Sequence, residues 1–330
     1  MAKPQPPLAL IGDIGGTNAR FALVDPAQAR PEPQHARSLP TADYASLQHA
    51  AEHYLHTLGA RPRRAAIAVA SPVAHDEIRL TNRAWSFSRR ELQQRLALDE
   101  LKVLNDFGAV ARAVPLLGGA DHVTLHGDPD APLQGPVSVL GPGTGLGVAL
   151  LVGSDALGWR VVETEGGHVS FAPQGDEERE IERWLAAHFG RASNERLLCG
   201  AGLSHIEAVL RGDGSASPGR MPALRDPAEI VAAALEGNDL PARRTLARFC
   251  AVLGSVAGDA ALIHGARTVM IAGGIAPRFV PFLRASAFRE RFLAKGRFAA
   301  YLESVAIHVV THPQPGLLGA AAALREPAAG

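Results

Sequence analysis

Five short stretches of this chain carry residue types that can do chemistry. Two are glycine-rich, Gly12-Asp13-Ile14-Gly15-Gly16-Thr17-Asn18 and Gly141-Pro142-Gly143-Thr144-Gly145-Leu146-Gly147. Glycines let successive backbone N–H groups converge on one point, and such a nest binds phosphate oxygens without a lysine. Asp13 cannot itself bind phosphate, but it could hold Mg²⁺ or its waters, the usual service of a carboxylate in phosphoryl transfer. A tight hairpin is the plainer reading of either loop alone. Two loops of this density, carrying Thr17 and Thr144, favour phosphate.

The third stretch is Asn105-Asp106. An Asp at a strand end, just before a helix, is well placed to take the proton from an attacking hydroxyl. Both residue types are also favoured helix caps, and the two roles are not exclusive. The fourth is Glu165-Gly166-Gly167-His168, whose glycines disfavour a helix and so a helical His-Glu-x-x-His metal pair. Glu and His on such a loop suit either hydrogen bonds to a polyhydroxylated ligand or a buried salt bridge. The fifth, Glu195 within Ser193-Asn194-Glu195-Arg196, reads in isolation as a solvated helix residue.

The elements that must position these residues alternate between strands and helices. Apolar runs predict strands at 8–11, 19–24, 65–70, 101–104, 137–140, 148–152, 268–272 and 305–310. Each glycine-rich loop therefore joins strand to strand, whereas a dinucleotide-binding loop would open a helix. The strand–glycine turn–strand pattern occurs twice, which points to an internal duplication. Helices are expected after Ser88 with Glu91 as a capping box, from Phe107 to Pro115, after a cap at Asp176 with Gly190 as the stop, after Asp226-Pro227, along 241–264, and at 316–325. Residues 121–136 read as a proline- and glycine-rich connection near a domain boundary, and 212–222 as a flexible loop.

Composition excludes several function classes. At roughly 150 residues per domain, 330 residues predict two domains. Lys plus Arg and Asp plus Glu are both 33, so the net charge is zero and a general nucleic-acid binder is not expected. Only three of the basic residues are lysines (Lys3, Lys102 and Lys295), and none follows the pattern of a Walker A loop or a protein-kinase strand lysine. Cys199 and Cys250 make no redox, zinc or disulfide pattern, and the 13 histidines form no cluster with them at ligand spacing. No Gly-x-Ser-x-Gly elbow is present. The first seven residues predict neither a signal peptide nor a DNA-binding extension, and no run of 18 uncharged apolar residues predicts a membrane span. The expectation is a cytoplasmic α/β enzyme.

Taken together and in order, the motifs resemble those of the bacterial glucokinases, ATP-dependent sugar kinases of the hexokinase/actin/Hsp70 ATPase superfamily. The resemblance spans essentially the whole chain: the run from Leu10 through Asp13 to Arg20, Leu104-Asn105-Asp106-Phe107, the second glycine-rich loop, Glu165-Gly166-Gly167-His168, Ser193-Asn194-Glu195-Arg196, Ala272-Gly273-Gly274-Ile275 and Pro315-Gly316-Leu317-Leu318-Gly319. It implies a two-lobed actin-like ATPase (ribonuclease H-like) fold of class α/β around a central cleft, with a small domain of 1–116 plus 311–330 and a large domain of 117–310.

It also implies roles. Asp106 matches the base that deprotonates the 6-hydroxyl of glucose, and Asn105, Glu165, His168 and Glu195 match residues that hydrogen-bond the sugar. Gly12, Asp13, Ile14, Gly15, Gly16 and Thr17 match the first phosphate loop, with Asp13 toward the metal. Gly141, Gly143, Thr144 and Gly145 match the second, and Gly273 and Gly274 the adenosine side. ATP, Mg²⁺ and glucose are the implied ligands, a cytoplasmic homodimer in glycolysis the implied setting. Alternatives are a kinase for another hexose, polyphosphate as donor, or a sugar sensor, against which Asp106 argues because sensing needs no base. Pro142 departs from a full nest because it has no N–H. Thr164 stands where related sequences often carry a small residue, and the zinc-binding cysteine cluster of the repressor/ORF/kinase relatives is missing.

Overall fold

The computed structural model describes residues 8–80, 85–212 and 222–325. The expectations for the first seven residues, and most of the loop expected at 212–222, lie outside them. Two compact units emerge: Met1–Leu117 with Trp159–Glu163 and His312–Gly330, and Gly118–Gly158 with Thr164–Thr311. The segment Trp159–Glu163, expected in the large domain, groups with the first unit. A physical reason is Glu163, which pairs with Arg112 at 3.2 Å on the helix Asp106–Ala113.

The first unit is built on strands β1 (Ala9–Ile14), β2 (Asn18–Val24), β3 (Gln34–Pro40), β4 (Arg64–Val69) and β7 (Glu100–Asn105), in the order β3-β2-β1-β4-β7. The short strands β5 (Glu77–Arg79) and β6 (Ser86–Ser88) pair separately. β1 runs antiparallel to β2 and parallel to β4, and β4 runs parallel to β7. Alternation along β1 explains the layers. Leu10 and Ile14 join Phe21, Ile67 and Tyr54 on the side of the helix Leu47–Leu58. Ala9 and Ile11 face Leu317, Ala320 and Ala321 of the helix Pro315–Ala323. Both faces are apolar, as a strand covered on two sides requires.

The second unit repeats the plan. Its strands are β8 (His122–His126), β9 (Val137–Pro142), β10 (Leu146–Ser154), β12 (Thr268–Ile271) and β13 (Ala306–Val310), ordered β10-β9-β12-β13-β8, while β11 (Gly158–Thr164) consists mostly of the segment grouped with the first unit. A glycine-turned antiparallel pair again lies beside two parallel strands. β8 falls inside the segment 121–136 expected to be only a connection. Its run His-Val-Thr-Leu-His carries a weak apolar signal, and pairing with β13 decides it.

The helix expected to be capped by Asp176 spans Gly175–Phe189 with Gln174 as its cap. The reason is Glu178, whose carboxylate takes the Gln174 N–H at 2.7 Å and so starts the helix earlier. The helix Leu240–His264 is long and apolar enough by length and composition to cross a membrane, but most of it is buried in the core of this unit. Cys199 and Cys250 are free and buried.

One buried charge pins this second core. Glu178 is fully buried. Burial alone would push its pKa up, but hydrogen bonds from Arg291, the Gln174 amide and Arg248 hold it below the usual carboxylate range. Arg291 donates twice, at 2.7 and 3.1 Å, and Arg248 once at 2.8 Å. This ties the helix Gly175–Phe189 to Leu240–His264 and Phe288–Leu293. Removing Glu178 leaves the half-buried Arg291 without a carboxylate partner, while Arg248 keeps Glu177, so Glu178→Ala should cost roughly 3 kcal/mol, the low end for breaking a buried pair. The check is the urea-unfolding midpoint of the variant. A midpoint equal to wild type would show that the arginines do not depend on Glu178.

Candidate active site

In the first unit, strand register brings the first glycine loop and Asn105-Asp106 to one edge. Ile14 lies opposite Val69, and Val69 opposite Asn105. At about 4.8 Å per strand, the ends of β1 and β7 are about 10 Å apart. Asn105 ends β7 and caps the helix Asp106–Ala113, its Oδ1 accepting from the N–H groups of Phe107 at 2.9 Å and Gly108 at 3.0 Å. Its Nδ2 donates to the Ser71 carbonyl at 3.4 Å. Asp106 is therefore the first helical residue, not the cap. Its Oδ1 accepts from the Phe107 N–H at 2.8 Å, and its charge lies at the positive end of the helix.

Asp13 sits at the end of β1, with its side chain 22% exposed. Burial pushes its pKa up, and Arg20, 3.5 Å away, opposes this only in part. Arg20 is its cross-strand partner in the hairpin. Gly316, at the start of the helix Pro315–Ala323, makes room for this carboxylate, because a Cβ there would stand 2.8 Å from Asp13 Cγ. A half-buried, undercompensated carboxylate suits a hydrated divalent cation. Among the described residues, no group of three or more His, Cys, Asp or Glu side chains is placed to hold a metal. Asp13 thus fits Mg²⁺ only as one ligand completed by water and substrate phosphates.

The first loop closes through the Gly15 N–H, which donates to the Asn18 carbonyl at 2.9 Å. Thr41 buttresses it, its Oγ1 donating to the Gly16 carbonyl at 2.8 Å and its N–H to the Thr17 carbonyl at 2.9 Å. The adjoining residues Gly12 and Ile14 belong to β1.

In the second unit, Gly141 and Pro142 end β9, and Gly143, Thr144 and Gly145 turn the chain into β10. The Gly143 N–H closes this turn on the Gly145 carbonyl at 2.8 Å. In each loop, then, one glycine amide expected in a phosphate nest is used by the turn. Gly273 and Gly274 follow β12, whose end is tied to β9 by the Ala272 N–H donating to Leu140 at 2.8 Å.

Glu165, His168 and Glu195 also converge in this unit. Gly166–His168 is a short 3₁₀ turn, where a plain loop was expected, and it closes by the His168 N–H donating to the Glu165 carbonyl at 3.0 Å. Ser170 bridges Ser193, and the Asn194 N–H donates to the Val169 carbonyl at 3.0 Å, so the short helix Asn194–Leu197 is held beside the turn. His168 Nδ1 lies 3.6 Å from Glu195 Oε1, and its Nε2 lies 3.8 Å from Glu165 Oε2. Glu165 and His168 are exposed. Glu195 is not the solvated residue expected: its side chain is 29% exposed, and its Oε2 accepts the Leu146 N–H at 3.0 Å. Sequence reasoning missed Leu146 because an amide has no residue-type signal. It also missed Arg20, although Arg20 and Asp13 are equidistant from the turn.

The comparisons with known proteins agree with one another. The model of the family described as glucokinase matches residues 10–327. The glucokinase of Yersinia pestis (strain Pestoides F) is 43% identical over 319 residues, covering 96% of this chain and 96% of that protein. The solved structure of a glucokinase from an Antarctic psychrotroph is 36% identical, with a TM-score of 0.82, covering 97% of this chain and 99% of that one. The glucokinase of Balamuthia mandrillaris, solved in complex with glucose, shares the fold at 21% identity and a TM-score of 0.76, covering 98% of this chain and 95% of that one. With a family match along nearly its full length and a relative of this identity, the chain belongs to the glucokinase family.

Proposed function

We propose that this chain transfers the γ-phosphoryl group of ATP to the 6-hydroxyl of glucose, giving glucose 6-phosphate and ADP, with Asp106 as the general base. The observation that carries the assignment of the base is its placement: a carboxylate on the first residue of a helix, at a strand end two strands from Asp13. Asn105 supports this by taking the capping duty at the same helix start.

Asp106 accepts the proton of the sugar hydroxyl as the O6–phosphorus bond forms. The bond from the γ-phosphorus to the bridging oxygen breaks, and ADP carries that electron pair away. Asn105, Glu165, His168 and Glu195 hold the sugar hydroxyls, and the backbones of the two glycine-rich loops receive the phosphates, with Gly273 and Gly274 on the adenosine side. Asp13 would hold Mg²⁺ as one ligand, and the ion would supply charge neutralisation on the phosphates. Positioning is most of the work in such a reaction, so a single base is enough. The two-lobed cleft, the Mg²⁺ requirement, the homodimer and the cytoplasmic setting in glycolysis belong to the same proposal, on family membership alone.

The test is a coupled assay with ATP and Mg²⁺ against a panel of hexoses, with glucose 6-phosphate detected directly. Glucose should be the preferred acceptor. Glucose binding without turnover of any hexose would make the protein a sensor. Asp106→Asn should lower kcat by about 10²–10⁴-fold while glucose still binds, since that is what a positioned base contributes. A near-normal kcat would remove Asp106 from the mechanism. His168→Ala should raise KM for glucose by about tenfold, the worth of a hydrogen bond in such a site, and leave KM for ATP unchanged. An equal rise in both would remove His168 from the sugar.

A further inference from the structure

The second glycine-rich loop and the sugar-side residues share a single backbone amide. Leu146 is the first residue of β10, immediately after the turn Gly143-Thr144-Gly145. Its N–H donates to Glu195 Oε2 at 3.0 Å. The approach is close because Gly145 has no side chain, and a Cβ there would collide with Glu195 Oε2. The Leu146 carbonyl is equally engaged, packing so tightly on Gly167 that a Cβ at 167 would collide with it. One residue of the loop is thus held on both sides by the segment that carries Glu195 and the turn that carries His168.

The carboxylate divides its two oxygens. Oε2 is occupied by the Leu146 amide, and Oε1 faces His168 Nδ1 at 3.6 Å. A carboxylate has acceptor capacity for both a backbone donor and a sugar hydroxyl. The partners on the two sides are independently anchored. Thr164 Oγ1 donates to the Val148 carbonyl at 2.7 Å, and the Gly166 N–H lies 3.3 Å from the same hydroxyl, which fixes the sugar-side turn on β10. The Gly200 N–H donates to the Gly143 carbonyl at 2.9 Å, which fixes the far side of the loop. The Leu146–Glu195 bond closes this frame.

We propose that Glu195 is a positioning residue for the phosphate loop, distinct from any contact with sugar: its Oε2 fixes the Leu146 amide and holds residues 141–147 in the shape that receives nucleotide. This rests on the reading of that loop as a phosphate loop. A residue that only held sugar would leave nucleotide affinity in sugar-free enzyme untouched. A residue that holds the loop sets it.

The experiment measures binding of the non-hydrolysable analogue AMPPNP with Mg²⁺ to the full chain by calorimetry, without sugar. Glu195→Asp keeps the charge but draws the oxygens back by one methylene. Glu195→Gln keeps the reach and an acceptor oxygen but loses the charge. Glu195→Asp should weaken AMPPNP by about fivefold, the net worth of one hydrogen bond, and Glu195→Gln should match wild type. His168→Ala, without a bond to Leu146, should also match wild type. Wild-type affinity in Glu195→Asp, or equal losses in the Asp and Gln variants, would overturn the proposal. So would an equal loss in His168→Ala. A folded wild-type chain that binds no AMPPNP would overturn the phosphate-loop reading, and this inference with it. Nucleotide binding without any glucose binding would overturn only the sugar assignment, and the Asp and Gln variants would still decide the role of Glu195.

Discussion

Parallel strand pairing is the constraint on which the rest of each unit depends. In a parallel pair both chains leave the sheet at the same edge, so whatever follows the two strands is brought together. In the first unit, β1, β4 and β7 share a direction and the row Ile14–Val69–Asn105. The turn after β1 and the helix after β7 therefore emerge at one edge, with β4 between them. In the second unit, Leu140, Ile271 and Val309 make the equivalent row, and the second glycine-rich loop leaves beside Gly273 and Gly274. A slip of one residue in either register would turn every side chain of that strand to the other face. Close packing on the two faces of β1 opposes it, since the larger pair Leu10 and Ile14 fits one covered side and the pair Ala9 and Ile11 the other.

Carboxylates in this protein differ by what satisfies them. Glu178 is buried and saturated by two arginines and an amide, and it serves structure. Asp106 has a helix N-terminus beneath it and Asn105 doing the capping. Asp13 is paired with Arg20, which offsets its burial only in part. Glu195 holds a backbone amide with one oxygen. Residue type is the same or nearly so in all four cases. The partners set the role, because the energy of a carboxylate depends on its local donors and on how much water it has lost.

Much of the architecture was legible in the chain. The strands at β1, β2, β4, β9, β12 and β13 are apolar runs, the helix at 227 starts on Asp226-Pro227, and the stop at Gly190 takes left-handed backbone where glycine is favoured. The repeated strand–turn–strand pattern became, in each unit, a glycine-turned antiparallel pair beside two parallel strands. What escaped has a common cause. β8 and β11 carry weak alternation and gain their identity from a neighbouring strand. The start of the helix Gly175–Phe189 was set by Glu178 folding back on Gln174.

Sequence by itself determined which residues are available and which elements carry them: glycines in two turns, Asn and Asp at a strand end, Glu and His on a glycine-flanked turn. These follow from short-range rules of steric freedom, capping and periodicity, which act over a few residues. Tertiary structure alone decided that Glu195, 49 positions along the chain from Leu146, would meet its amide, and that Trp159–Glu163 would group with the first unit. Such contacts depend on register and packing between distant segments. A backbone N–H is identical at almost every position, so only the fold can select the one that is used.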